Sequence, residues 1–261
     1  KIFEIWEHEW DELCKYNDEV KSFIAKQNVE QLDPLNPKDA LFGGRTNALK
    51  LYHKCSQNEE IHYYDYTSLY PYVQKYGIYP VGHPIIITDN FDYNYKYFGV
   101  IKCTILPPKQ LYIPVLPARI NNKLVFGLCR TCSNESKLQE CTHSDEERAL
   151  TGTWISLEID KVIENGYKLI KYYEIWQWDR REQYNKESKT GGLFTSYINQ
   201  ALKEKQEASG FPKDCVTEDQ KDQYIREYYD NEGIILDKNQ IEFNPGKRAV
   251  AKIKANSQWG Y

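Results

Sequence analysis

Tyr64-Asp65-Tyr66-Thr67-Ser68-Leu69-Tyr70-Pro71 places an acid, hydroxyls and aromatics where chain direction changes. Ile61–Tyr66 alternates toward a strand that stops at Asp65. Thr67–Tyr76 reads as a helix, with Pro71 early, as a first turn allows. A carboxylate leaving a sheet just before a helix can hold a divalent cation. Mg²⁺ prefers one or two carboxylates plus substrate phosphates. The N–H groups of the following turn favour phosphate oxygens. A plainer role stays open, that of a helix N-cap after a strand.

A second pattern lies in Lys247–Gly260. On a helix, Arg248, Lys252, Asn256 and Trp259 are spaced i, i+4, i+8 and i+11 along one face. Cations there bind phosphate, and a large aromatic gives a base a stacking wall. The alternative is a solvated basic face with Trp259 as a core anchor. A third pattern is Cys129-x2-Cys132-x8-Cys141-x-His143, four soft ligands close in sequence. Zn²⁺ favours such sets, although the tight C-x-H is atypical. Three free thiols and an exposed His in a long loop are the competing reading.

These residues sit in a chain of 261 residues with 34 Lys+Arg against 38 Asp+Glu, net charge -4, and 41% hydrophobic residues. No apolar run is long enough for a membrane span. No charged leader with an apolar stretch opens the chain, so an intracellular protein, nuclear or cytoplasmic, is expected, with reduced thiols. Met is missing and the chain opens on Lys1, which suggests an internal piece of something longer. From Lys1 to Asp33 there are 9 acids and 4 bases, and from Asn244 to Lys254 four bases and no acid. A near-neutral body with a local basic stretch can still bind nucleic acid, and it argues against a strongly basic, histone-like binder.

Residues 4–26 read as helix and Gln31–Lys38 as a linker. Leu41-Phe42-Gly43-Gly44-Arg45 reads as a turn. Strands are expected at Pro80–Ile87, Lys96–Leu106 and Gly166–Trp176, with a strand turning into helix over Trp154–Gly166. The stretch 121–148 reads as an irregular insertion. Phe194–Tyr229 is mostly helical, broken near Gly210 and Pro212, and a last helix opens at Pro245-Gly246. Strands and helices mix without a βαβ repeat, which gives an α+β class with the helices segregated late. Glu158 and Asp160 form a weaker acidic pair. Glu4, Glu7, His8 and Glu9 fit a solvated helix face better than a nuclease site.

D-Y-T-S-L-Y-P followed downstream by K-I-K-A-N-S-Q-W-G resembles the palm and fingers signatures of family B DNA polymerases. L-F-G-G-R-T-N-A before them sharpens the resemblance, as do L-P-P-K-Q-L-Y-I-P-V-L-P, L-C-R-T-C and G-T-W between them. The set is similar to the protein-primed branch of viruses, linear plasmids and Polinton-like mobile elements. It runs from about Ala40 to Tyr261. Residues 1–39 read as an N-terminal helical segment and linker from their own pattern, while the resemblance implies a palm sheet at 40–190, with the insertion at about 121–148, and a helical fingers subdomain at 191–261. It implies template-directed nucleotidyl transfer with two Mg²⁺ ions, Asp65 being a catalytic metal ligand. Tyr70 would be the steric gate under the deoxyribose. Tyr66, Ser68 and Leu69 would offer backbone N–H groups to the triphosphate. Lys252 and Arg248 would bind that triphosphate, and Asn256 would line the nascent base pair. Trp259, standing where the general motif has Tyr, would face DNA. Gly43, Gly44 and Arg45 match the glycine pair near the template strand, but Phe42 directly before them departs from the commoner Y-x-G-G spacing.

The implied partners are DNA template and primer, deoxynucleoside triphosphates and a terminal priming protein. In related polymerases, an insertion at this place contacts the priming protein or duplex. The family also needs a second Asp in a Y-x-D-T-D strand and a thumb, neither found before Tyr261. Little or no activity is therefore expected of this chain alone. The alternative is a non-catalytic nucleic-acid-binding module derived from a polymerase.

Overall fold

The computed structural model describes residues 4–26, 33–46, 48–137 and 139–258. They fall into two compact units, Lys1–Asn36 and Pro37–Tyr261. In the first unit the expected single helix is two, α1 (Glu7–Tyr16) and α2 (Asp18–Lys26). Asn17 divides them. Its backbone N–H closes α1 on Leu13, while its side-chain oxygen accepts from the N–H groups of Glu19 and Val20 at 3.0 and 3.1 Å. Asparagine is well suited to such a junction because its side chain competes for nearby backbone groups.

The second unit opens with a 3₁₀ turn at Pro37–Ala40. The described residues that follow are irregular as far as α3 (Leu69–Tyr76). Next come β1 (Tyr79–Pro80), β2 (Ile85–Ile87), β3 (Gly99–Leu106), β4 (Ala118–Ile120) and β5 (Lys123–Val125). Two short helices, α4 (Arg130–Glu135) and α5 (Asp145–Arg148), precede β6 (Leu150–Ile155) and α6 (Ser156–Glu164). The chain continues through β7 (Lys168–Gln177), β8 (Arg181–Glu182), α7 (Thr195–Glu207), α8 (Glu218–Glu232) and α9 (Pro245–Asn256). This is a mixed helix-and-sheet chain of the expected α+β kind.

The main sheet is antiparallel in the order β2-β7-β3-β6. Its centre, β3, reads G-V-I-K-C-T-I-L and is buried from Cys103 onward. Ile101, Cys103 and Ile105 alternate onto the core face, while Thr104 between them hydrogen-bonds with Thr151 and Tyr173. Ile101, Cys103, Ile105, Trp154, Tyr172 and Ile175 pack with Ile159 and Val162 from α6 in one core. The buried Trp154 indole N–H is satisfied by Pro117 O at 2.8 Å. Tyr93–Tyr97, which alternates like a strand, instead makes a turn whose Tyr93 and Tyr97 rings lie 4.9 and 5.7 Å from Tyr172. The strand expected over Pro80–Ile87 is split, because the chain turns at Gly82 with φ 82°.

The 121–148 stretch differs from the irregular loop expected of it. It carries β5, which pairs with β4, and the helices α4 and α5. Side chains supply what the apolar core does not. Arg148, 4% exposed, donates to Pro107 O at 2.7 Å and pairs with Asp145 at 3.1 Å. Thr131 Oγ1 donates to Glu147 O.

The helical part is built on α7 against α9. Ile198 and Ala201 of α7 are fully buried, as nearly are Ala251 and Ala255 of α9. Small residues one turn apart let the two helices approach closely. Tyr197 Oη donates to Lys254 O at 2.7 Å, and Lys254 pairs with Glu204 at 3.0 Å. Lys75 of α3, 1% exposed, reaches Glu232 at the end of α8 at 3.3 Å. Burial lowers the Lys75 pKa, and the carboxylate opposes that shift. Among the described residues, no helix is long and apolar enough to cross a membrane.

Candidate functional site

Asp65 does not end a strand. Residues 61–66 are irregular, and Ile61, Tyr63, Tyr64 and Tyr66 all point largely into solvent. The period-2 pattern is present, but no strand among the described residues pairs with it. A strand without a ladder has no reason to form. Asp65 is not a helix cap either. The N-cap of α3 is Ser68, three residues on, held left-handed at φ 56°, ψ 37°, and its side chain makes no capping bond. A non-glycine residue in this region costs about 1–2 kcal/mol. Strain of this kind clusters at functional sites.

That turn forms one wall of a cleft of about 400 Å³. Asp65, Ser68 and Tyr70 face Lys205 from α7 and Lys252 and Asn256 from α9 across it. Tyr66 and Leu69 line the same wall. Ser68 Oγ accepts a hydrogen bond from Lys205 Nζ at 3.3 Å. The alanine stripe of α9 explains the other wall. With Ala251 and Ala255 buried against α7, the interleaved Arg248, Lys252 and Asn256 stay exposed. Arg248 does not line the cleft; its Nε donates to Ser209 Oγ at 3.1 Å.

Lys205 is the residue that sequence reasoning misses. Burial pushes its pKa down first, and the charges of Arg248 and Lys252 push it further. Two cations, Lys205 and Lys252, therefore converge on a space walled opposite by one carboxylate, with the charge of Arg248 close enough to be felt. Unpaired convergent cations are costly unless an anion joins them. Among the described residues, Asp65 is the sole acid lining the cleft.

Gly43, Gly44 and Arg45 do not line the cleft. They lie against the β4–β5 hairpin. Arg45 Nη1 donates to Pro114 O at 2.6 Å, and its guanidinium lies over the Phe126 ring at 4.7 Å. Arg119 of β4 donates to Asp39 O and Leu41 O and lies over Phe42 at 4.7 Å. Neither glycine has positive φ, and a Cβ on Gly44 would meet nothing within 4 Å. The fold itself does not demand glycine there.

The structure does bring Cys129, Cys132, Cys141 and His143 together. Their ligand atoms all lie within 4.8 Å of one another. Glu158 has a different use: its carboxylate caps the Ile155 N–H at 3.3 Å, and burial raises its pKa. Trp259 lies outside the described residues.

The sequence model of the family described as DNA polymerase type B, organellar and viral, matches residues 35–218. That is well over half of the chain. The chain belongs to this polymerase family. The match takes in the Asp65 turn, the whole main sheet, the Cys/His cluster and Lys205 on α7. It ends before α9, so Lys252 and Asn256 lie outside the matched residues, and the cleft geometry alone brings them to Asp65. No curated protein and no solved structure matches the chain significantly.

Proposed function

We propose that this chain is the palm and fingers portion of a protein-primed type B DNA polymerase, and that the Asp65 cleft takes the incoming deoxynucleoside triphosphate. The observation that carries this reading is the meeting of Asp65 and Tyr70 with Lys205, Lys252 and Asn256 around one cleft. A triphosphate is a compact polyanion. Lys252 and Lys205 neutralise its β- and γ-phosphates, with Arg248 at the rim. The N–H groups of the first turn of α3, which have no intrahelical partner, take phosphate oxygens. Tyr70 places its ring under the sugar and leaves no room for a 2′-hydroxyl. Asn256 lines the nascent base pair.

The donor set fits a hard divalent cation, since Asp65 is exposed and free of any capping role, and Mg²⁺ binds one or two carboxylates with substrate phosphates. When bound, two such ions supply charge to the leaving phosphates and lower the pKa of the primer hydroxyl. The 3′-oxygen then attacks the α-phosphorus, the bond to the bridging oxygen breaks, and pyrophosphate leaves. The hydroxyl proton passes to solvent. This chain's part is positioning and charge, as in other phosphoryl transfers. Two-ion chemistry takes a second carboxylate, and among the described residues no other acid lines the cleft. The reading therefore expects nucleotide binding by these 261 residues with little primer extension.

Gly43–Arg45, held by the hairpin with open space at Gly44, suits a close approach of the template backbone. The test measures primer–template binding with and without the matched triphosphate. The reading predicts tighter binding with the matched nucleotide, and loss of that gain in Lys252→Ala. DNA binding indifferent to nucleotide and to Asp65→Ala would mean a non-catalytic binding module.

A further inference from the structure

Cys129, Cys132, Cys141 and His143 lie away from the cleft and play no part in the chemistry above. Their geometry is that of a tetrahedral metal site. With Zn–S near 2.3 Å and Zn–N near 2.0–2.1 Å, tetrahedral angles put sulfur and nitrogen about 3.5 Å apart. The three Sγ···Nδ1 separations are 3.5, 3.3 and 3.5 Å, from Cys129, Cys132 and Cys141 respectively. All three sulfurs thus stand at the ligand–ligand edge length from one ring nitrogen. The three cysteines are free thiols, with no disulfide among them. Cys129 Sγ also accepts the Cys132 N–H at 3.3 Å, a bond that orients a ligating sulfur. Three sulfurs and one imidazole form a closed four-ligand set, which marks a structural rather than a catalytic zinc.

The surroundings say what such an ion would hold. Few apolar side chains are buried between residues 121 and 148. The cluster closes that stretch into a loop anchored by Arg148 at one end. At the other end, Asn121 Nδ2, between β4 and β5, donates to Asn134 O of α4. The same hairpin holds Leu41–Arg45 through Arg119, Phe126 and Leu124.

We propose that Cys129, Cys132, Cys141 and His143 bind one Zn²⁺, and that this ion fixes the hairpin on which the Gly43–Arg45 segment rests. The metal and the protection of Arg45 are both read without nucleotide or DNA, so they stand or fall apart from the polymerase reading. The 261-residue chain, purified without a polyhistidine tag, carries one zinc per molecule by elemental analysis. Cobalt in its place shows thiolate charge-transfer bands. Cys132→Ser and His143→Ala lose the metal, while Cys55→Ser and Cys215→Ser keep it. As the ligand variants can misfold, the second half is read on the wild-type chain. Stripping zinc with a chelator speeds tryptic cleavage after Arg45 by about tenfold, as expected for a loosened local unit, and added zinc restores protection. A wild-type chain without stoichiometric zinc, or with a disulfide among these cysteines, overturns the site. Zinc loss that leaves cleavage after Arg45 unchanged overturns the role given to it.

Discussion

Lys205 concentrates the chemistry of the cleft in one side chain. Its folded-state pKa lies below the ordinary lysine value of 10.5, through burial and then the charges of Arg248 and Lys252. Between the folded and unfolded values, the unfolded chain binds the extra proton. Lys205 therefore costs stability at neutral pH, and this cost fades as pH rises through that window. Lys205→Met should raise the unfolding midpoint of the nucleotide-free chain at pH 7 and flatten the gain otherwise seen toward pH 10. The same variant should weaken triphosphate binding by about tenfold or more, the scale of a lost hydrogen bond to a charged group. In the wild type, nucleotide affinity should fall with rising pH before an ordinary lysine titrates. Thermal unfolding and fluorescence titration across pH 7–10 check both sides. A Lys205→Met chain that is less stable yet binds nucleotide normally would make the residue structural.

At the scale of elements, the cleft depends on α9 lying against α7 through alanines. Ala255→Leu overpacks that contact and should cost about 1–3 kcal/mol. It should also reduce nucleotide affinity, since Lys252 and Asn256 move with the helix; denaturant unfolding and titration test the pair. The α9 face is legible in the sequence because i, i+4 spacing alone sets it. Lys205 is not legible, because K-E-K on α7 looks like any solvated face until the α3 turn docks beside it. The turn at Asp65 shows the converse, since its alternating residues name a strand but forming one depends on a ladder partner. Cys129, Cys132, Cys141 and His143 can be read as a set, but only the fold shows that their side chains meet rather than scatter along a loop.

For the whole molecule, the two units separate charge from chemistry. Residues 1–33 hold 9 acids and 4 bases, a net of -5, against -4 for the chain, so the remainder sums to +1. Among the described residues, every one that lines the cleft belongs to the second unit. A chain beginning at Pro37 should keep its cooperative unfolding and its triphosphate affinity within about twofold. It should bind DNA more tightly at low salt, with the difference shrinking as salt rises. Filter binding over a salt series reads this, and a large loss of nucleotide affinity would tie the first unit to the site. The central claim is that Asp65 and the opposing cations form one nucleotide site. The most direct measurement is deoxynucleoside triphosphate affinity as a function of Mg²⁺, in the wild type, Asp65→Asn and Lys252→Ala. The account predicts wild-type affinity that rises with Mg²⁺, no such rise in Asp65→Asn, and weak binding at every Mg²⁺ level in Lys252→Ala. Equal, Mg²⁺-independent affinity in all three chains would contradict it.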